Sequence, residues 1–193
     1  MGQAVDGKIE TQGFTGRLAP RFAETLDAES LLGLKELIHS DQAQLIAEGR
    51  HRVAMVHLDI GGEMVPVAVK AFGKQSTWKD RFDRSRGSKA SRSFEAAQFL
   101  QDHGVGTPEA IGYLDRWEGG RLMESYYLSR YLDGLVSFKD HLIRIYNEQP
   151  ECDHLVALLQ HVGTSMRKMH DAGFLHRDLG NQNMEFCQTG GLA

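Results

Sequence analysis

The sequence predicts an α+β fold: a five-stranded antiparallel sheet with one helix laid on it, followed by a smaller and mainly helical part. Three observations carry this. Between Gln42 and Leu128 apolar residues alternate in short runs, two of which turn at Gly61-Gly62 and Glu118-Gly119-Gly120, a hairpin signal because glycine enters left-handed turn positions without penalty. A helical stretch, Ser91 to His103, stands between the third and fourth runs. From Ser137 onward the pattern changes to helical periodicity and ends in a long apolar-striped run: Leu155, Val156, Leu158, Leu159, Val162, Met166 and Met169.

A chain of 193 residues accommodates one domain or two small lobes sharing a cleft. The spacing divides it into an N-terminal extension with a helical segment (residues 1–41), a sheet-bearing part (42–132) and a helical part (133–193). A net charge of -4 gives no basis for nucleic-acid binding. Cys152 and Cys187 have neither metal-ligand nor disulfide-framework spacing, which suits a reducing compartment. No run approaches the roughly 20 apolar residues that span a bilayer, and no signal-peptide core opens the chain. A cytoplasmic location is expected.

Taken in order, residues 1–16 are rich in Gly, Gln and Thr and are expected to be loosely ordered. Phe22, Leu26, Leu31, Leu34 and Leu37 suggest one helix or two short ones packed on the following sheet. Strands are expected over residues 44–47, 52–60, 64–72, 110–117 and 122–128. The first turns at Gly49, and the third reads Val65-Pro-Val-Ala-Val-Lys70. Between Trp78 and Arg92, six cations (Lys79, Arg81, Arg84, Arg86, Lys89, Arg92) face only Asp80 and Asp83. Such a run is a solvated loop by default, or a patch for an anionic substrate or the anionic membrane leaflet. Ser88 or Ser91 is placed to cap the next helix, which carries Glu95, and Gly104-Val-Gly-Thr-Pro108 ends it.

The stretch that gives the chain its chemistry is His176-Arg177-Asp178, with Asn183 five residues beyond the aspartate. This is the H-R-D-x-x-x-x-N pattern of a phosphoryl-transfer loop. An aspartate must reach the attacking hydroxyl, while an amide oxygen must reach Mg²⁺ beside the same phosphate. A short loop between a helix and a strand aims both side chains at one place, and Met184-Glu185-Phe186 supplies the strand. A chance loop is the competing explanation, since Asp and Asn favour turns anyway.

Lys70, Glu95, a hinge at Ser129-Arg130-Tyr131-Leu132-Asp133-Gly134, then Asp178 and Asn183 together resemble the protein-kinase-like superfamily, with its two-lobed fold. Within it, Lys79 to Ala97, Gly104 to Pro108, and Glu124 to Gly134 resemble the lipopolysaccharide kinases of the Kdo/WaaP family. The resemblance runs from about Gln42 to the last residue. It implies an ATP- and Mg²⁺-dependent transfer of the γ-phosphoryl group to a sugar hydroxyl, in the lipopolysaccharide core or on a lipid A-linked sugar. The location implied is the cytoplasmic face of the inner membrane, with peripheral contact through Lys79–Arg92. Carried over residue by residue, Asp178 is the catalytic base and Asn183 the metal ligand. Lys70, held by Glu95, binds the α/β-phosphates. Gly49 stands in the phosphate-covering turn, and Arg130 and Leu132 lie where adenine meets the hinge backbone. His176 supports the loop. Gly180 occupies the position where protein Ser/Thr kinases carry a lysine, which lowers that alternative. A metal-binding aspartate is expected on a further strand-turn past Asn183, and Ala193 comes first. The sequence therefore reads as a piece of a longer kinase, inactive by itself, with a nucleotide-binding pseudokinase scaffold as the alternative.

Overall fold

Three two-residue turns of left-handed backbone shape the sheet, and one of them lies where no strand is expected. The computed structural model describes residues 7–73, 86–148, 152–176, 179–180 and 184–187. β1 (Lys8–Thr11) and β2 (Phe14–Leu18) form a hairpin closed by Gln12 and Gly13, whose φ angles are 46° and 81°. Two successive left-handed residues make a turn whose twist matches the strands. The expectation of a loose N-terminus is thus corrected for residues 8–16, where Gln-Gly serves in place of the more recognisable Asn-Gly.

β3 (Gln44–Glu48), β4 (His51–Ile60) and β5 (Glu63–Phe72) follow, the last two joined through Gly61 and Gly62 at φ 66° and 88°. Helix α1 (Leu34–Leu37) precedes them and helix α2 (Lys89–Asp102) comes after. β6 (Ala110–Glu118) and β7 (Arg121–Arg130) close through Gly119 and Gly120. The strands form one antiparallel sheet of seven, in the order β1-β2-β6-β7-β5-β4-β3. The expected five strands are present; the N-terminal hairpin adds two beyond β6. Close approach there depends on glycine. A Cβ on Gly16 would sit 2.3 Å from the Tyr113 carbonyl oxygen, and one on Gly112 2.7 Å from that of Arg17. Gly16→Val is expected to destabilise the fold by about 1–3 kcal/mol, the usual cost of overpacking. Gly49→Ala, which meets nothing within 4 Å, should be near neutral. Denaturant midpoints of the two variants provide the comparison.

The helices expected over residues 22–38 shrink to 3-10 turns at Pro20–Phe22 and Ala28–Leu31 and the single turn of α1. Their apolar residues serve packing more than helical regularity. Phe22, Leu26, Leu31, Leu34 and Ile38 are buried in one core with Ala54, Val56, Val67, Val69, Leu114 and Leu128. Backbone and side-chain bonds fix this cover to the sheet: Gly61 N–H donates to Thr25 O at 2.8 Å, and Arg52 Nε to Ile38 O at 3.0 Å. On α2, Phe94 is fully buried and tilts against Tyr113, ring centroids 5.7 Å apart. Tyr113 and its neighbour Leu114 project to opposite sides, as successive strand residues do, so α2 and the N-terminal segment cover opposite faces.

The chain divides into two compact units. The first comprises Met1–Phe99 and Pro108–Tyr131, the second Leu100–Thr107 and Leu132–Ala193. In the second, β8 (Leu135–Ser137) pairs with β9 (Glu185–Cys187), and α3 (Phe138–Glu148) and α4 (Cys152–Asp171) pack Leu142, Ile145, Leu158, Val162 and Met166 with Phe138, Met184 and Phe186. Ser137 caps α3 through its hydroxyl, which accepts from Asp140 N–H at 3.1 Å. No helix among the described residues is long and apolar enough to cross a membrane.

Candidate active site

The site begins with a row of residues across the sheet of the first unit. Lys70 on β5 lies opposite Val53 on β4 and Tyr127 on β7. Tyr127 in turn lies opposite Tyr113 on β6, and Tyr113 opposite Arg17 on β2. Directly opposed residues share a face, so Lys70 projects from the face that α2 covers. Tyr127 shields one flank of the lysine, and burial pushes its phenol up to about 12. The Nζ of Lys70 stands 5.5 Å from the Phe72 ring centroid, a cation–π distance.

Glu95 is exposed on α2, and Ser91 donates to its Oε1 at 3.5 Å. Among the described residues no ion pair joins Lys70 to Glu95. Tyr113 is tied into the same corner: burial raises its phenol, a Ser91 hydrogen bond opposes this, and the charges of Asp115 and Glu95 add to the rise. The structure thus brings Lys70 and Glu95 to one face without pairing them. Glu109, another acid near the sheet, is engaged elsewhere, with Arg21 at 2.7 Å and Arg130 at 3.7 Å.

At the far end of β7, Arg130 N–H donates to Glu109 O at 2.8 Å and Tyr131 N–H to Pro66 O at 3.0 Å. Leu132 follows, half-buried, as the first residue of this stretch in the second unit. Gly49 sits in the β3–β4 turn, where neither φ nor a close neighbour demands glycine.

Of the cationic run, Lys79, Arg81 and Arg84 lie outside the described residues. Arg86 is exposed, and Arg92 is drawn into the helix start, donating to Gly87 O at 2.7 Å. Ser88 is buried and its hydroxyl accepts from Ser91 N–H at 2.9 Å, so Ser88 is the cap.

Asp178 and Asn183 also lie outside the described residues; the described residues on either side of them are fixed by hydrogen bonds. α4 finishes at a left-handed Gly173 (φ 82°): Gly173 N–H donates to His170 O at 2.8 Å and Phe174 N–H to Met169 O at 3.1 Å. These are the two bonds of a Schellman stop. Lys168 near the helix end donates to Gly104 O at 2.5 Å. On the other side, Met184 O accepts from Phe138 N–H at 2.8 Å, and β9 pairs with β8 through Val136 and Phe186. His176 and Leu175 are exposed, and Gly180 is half-buried. Among the described residues no group of three or more His, Cys, Asp or Glu side chains could hold a metal ion.

A basic cluster beside Lys70, where β4 begins and β5 ends, was not anticipated from the sequence. His51 opposes Phe72 across β4 and β5, with ring centroids 4.9 Å apart. Its imidazole is pushed below the ordinary histidine value by burial, then by the charges of Lys89, Lys70 and Arg50. Only the strand register discloses this neighbourhood; in sequence, His51 and Lys89 stand far apart.

A known structure shares the fold. The structure of WaaP in complex with acyl carrier protein superposes with a TM-score of 0.56 at 18% identity, over 88% of this chain and 65% of that one, a likeness of fold. Human ephrin type-A receptor 8 is 27% identical over 169 residues, 88% of this chain and 15% of the receptor. The Escherichia coli K12 lipopolysaccharide core heptose(I) kinase WaaP is 30% identical over 89 residues, 46% of this chain and 34% of that kinase. The chain therefore spans about a third or less of the curated relatives it matches. The lipopolysaccharide kinase (Kdo/WaaP) family matches residues 72–191, which include α2, the hinge and the H-R-D loop. With its kinase-like sheet and a family match over more than half its length, the chain belongs to the lipopolysaccharide kinase (Kdo/WaaP) family.

Proposed function

We propose that this chain is the nucleotide- and acceptor-handling part of an ATP-dependent kinase that phosphorylates a sugar hydroxyl, of Kdo or heptose, in the lipopolysaccharide core. The observation that carries the reading is the H-R-D-x-x-x-x-N segment inside the family match, which in sequence follows the Schellman stop of α4 and precedes β9. In the reaction the acceptor oxygen attacks the γ-phosphorus, the bond to the β-phosphate oxygen breaks, and ADP leaves. Asp178 orients the hydroxyl and takes its proton. Asn183 would supply an amide oxygen to the Mg²⁺ that ATP brings with it. Lys70 holds the α/β-phosphates, and Glu95 turns from Ser91 to clamp it when nucleotide is bound. Adenine meets the backbone near Arg130 and Leu132. The reaction belongs at the cytoplasmic face of the inner membrane.

The test is transfer of labelled γ-phosphate to lipopolysaccharide core by the full-length gene product as wild type, Lys70→Met, Glu95→Gln and the double variant, with the 193-residue chain beside it. Transfer is expected in the full-length wild type and not in the 193-residue chain. The double variant should be little worse than the poorer single one, because groups acting as a unit are non-additive. Additive losses would remove Glu95 from the role. One observation favours a second reading, a nucleotide-binding scaffold: Lys70 and Glu95 are unpaired with one another. ATP binding without transfer to any acceptor would establish that reading instead.

A further inference from the structure

The end of β7 is braced by a piece of chain far from it in sequence. The β6–β7 register runs Ala110 with Ser129 and then Gly112 with Leu128, so it steps over Ile111. An irregularity of this kind re-aims a strand locally. β2 pairs Leu18 with Gly112, and one residue further on Ala19 N–H donates to Ile111 O at 2.8 Å. The carbonyl of the stepped-over residue is thus taken by the segment that leaves β2. That segment is itself seated, because Phe22 of the 3-10 turn Pro20–Phe22 is buried in the core.

Arg21 stands on this turn. Its guanidinium lies 5.8 Å from the Phe22 ring centroid and donates to Glu109 Oε1 at 2.7 Å. Glu109 immediately precedes β6 and is bound to the end of β7 twice. Its carbonyl accepts from Arg130 N–H at 2.8 Å, and its Oε2 lies 3.7 Å from Arg130 Nη1. Two guanidiniums therefore share one carboxylate, Arg21 closely and Arg130 loosely. Without Arg21 the carboxylate is free to close on Arg130, since a charge-assisted contact shortens when no other donor competes for the acceptor. The Arg21 side chain is 71% exposed and that of Glu109 29%, so the pair adds little stability. What it fixes is a position.

We propose that Arg21 is a positioning residue for the nucleotide base: acting through Glu109, it keeps Arg130 and the end of β7 in the arrangement that receives adenine. The inference rests on the ATP reading above and adds to it a residue of the N-terminal segment, outside the residues that the family matches. Arg21 itself touches neither nucleotide nor acceptor. Its effect falls on the base and spares the phosphates, which that reading assigns to Lys70.

Steady-state transfer by the full-length gene product, with isothermal titration of adenosine and inorganic tripolyphosphate, tests this. Arg21→Met keeps the side-chain stem over Phe22 and removes the charge. It should raise KM for ATP about two- to fivefold, the range a surface ion pair can transmit, with kcat unchanged. Adenosine should weaken by the same factor, and tripolyphosphate should bind as to the wild type. Glu109→Gln should behave likewise, and the double variant should be no worse than the poorer single one. Arg21→Lys should recover part of the loss. Arg144→Ala removes an exposed cation paired with Glu148 on α3 and should match the wild type throughout. Lys70→Met should show the opposite contrast, with tripolyphosphate weakened and adenosine unchanged. A merely structural Arg21 would lower the melting temperature without separating the two probes. If Arg21→Met and Glu109→Gln leave ATP and adenosine unchanged, or weaken adenosine and tripolyphosphate alike, the positioning role is wrong and the ATP reading stands. If Lys70→Met also leaves tripolyphosphate unchanged, or the wild type does not bind ATP, both fall.

Discussion

In the full-length gene product, Asp178→Ala should lower kcat for phosphoryl transfer by about 10²–10⁴, the span that general-base catalysis contributes, and leave ATP affinity nearly unchanged. The carboxylate acts on the acceptor hydroxyl as it attacks, so its loss is felt in the transition state and not in ground-state nucleotide binding. Asp178→Asn is the sharper variant, since it preserves size and hydrogen bonding while removing the charge that takes the proton. Steady-state transfer assays alongside ATP titrations separate the two quantities. Normal turnover by either variant would remove Asp178 from the chemistry and dissolve the argument from the H-R-D loop. A parallel loss of ATP binding would move the residue from the acceptor to the nucleotide.

The second large effect is structural. Phe94→Ala is expected to cost about 3–5 kcal/mol, as truncation of a fully buried aromatic does, against a total stability of about 5–15 kcal/mol for a domain. Phe94 is fully enclosed against Tyr113 and belongs to the same core as Ala97. It seats the helix that carries Lys89 and Glu95, so its removal loosens the position of both. Phe94→Leu keeps most of the volume and should lose much less. Urea unfolding followed by circular dichroism measures both variants. A loss below about 1 kcal/mol for the alanine variant, less than ordinary large-to-small changes give, would mean that α2 is held by something else.

The central strands were legible because their punctuation is unambiguous. Gly61-Gly62 and Gly119-Gly120 adopt the left-handed pairs that two-residue hairpins require, and β4 to β7 begin and end within a residue or two of where the alternation places them. Gln12-Gly13 performs the same turn without the same signal, so β1 and β2 were hidden. Leu31, Leu34 and Leu37 have helical spacing, yet Gly33 stands just before α1, and burial against Val56 and Leu128 tolerates a chain that only turns. At the site, the positions of Lys70 and Glu95 follow from strand and helix patterning. Their separation, with Ser91 holding the glutamate, depends on a side-chain rotation that residue spacing does not encode. The His51 cluster is invisible for another reason: it is made by register and by the packing of α2. Asp178 and Asn183 were read from the motif, and they lie outside the described residues.

The placement of the N-terminal hairpin also sets the order in which the sheet can be completed. β2 pairs with β6 through Phe14 with Arg116 and Leu18 with Gly112, and β5 finds its second neighbour in β7 through Lys70 with Tyr127. A growing polypeptide emerging from the ribosome can close the β1–β2 and β4–β5 hairpins early, but β2 must wait for roughly a hundred further residues before its second neighbour, β6, is made. Long sequence separation of paired strands slows folding, because loop-closure entropy is spent before the contacts that reward it form. Until β6 and β7 arrive, β2 and β5 each present a bare strand edge, and the apolar residues of the N-terminal cover have only part of their core to bury against. Nascent chains shorter than about 130 residues should therefore be the species most exposed to aggregation and most dependent on chaperone protection.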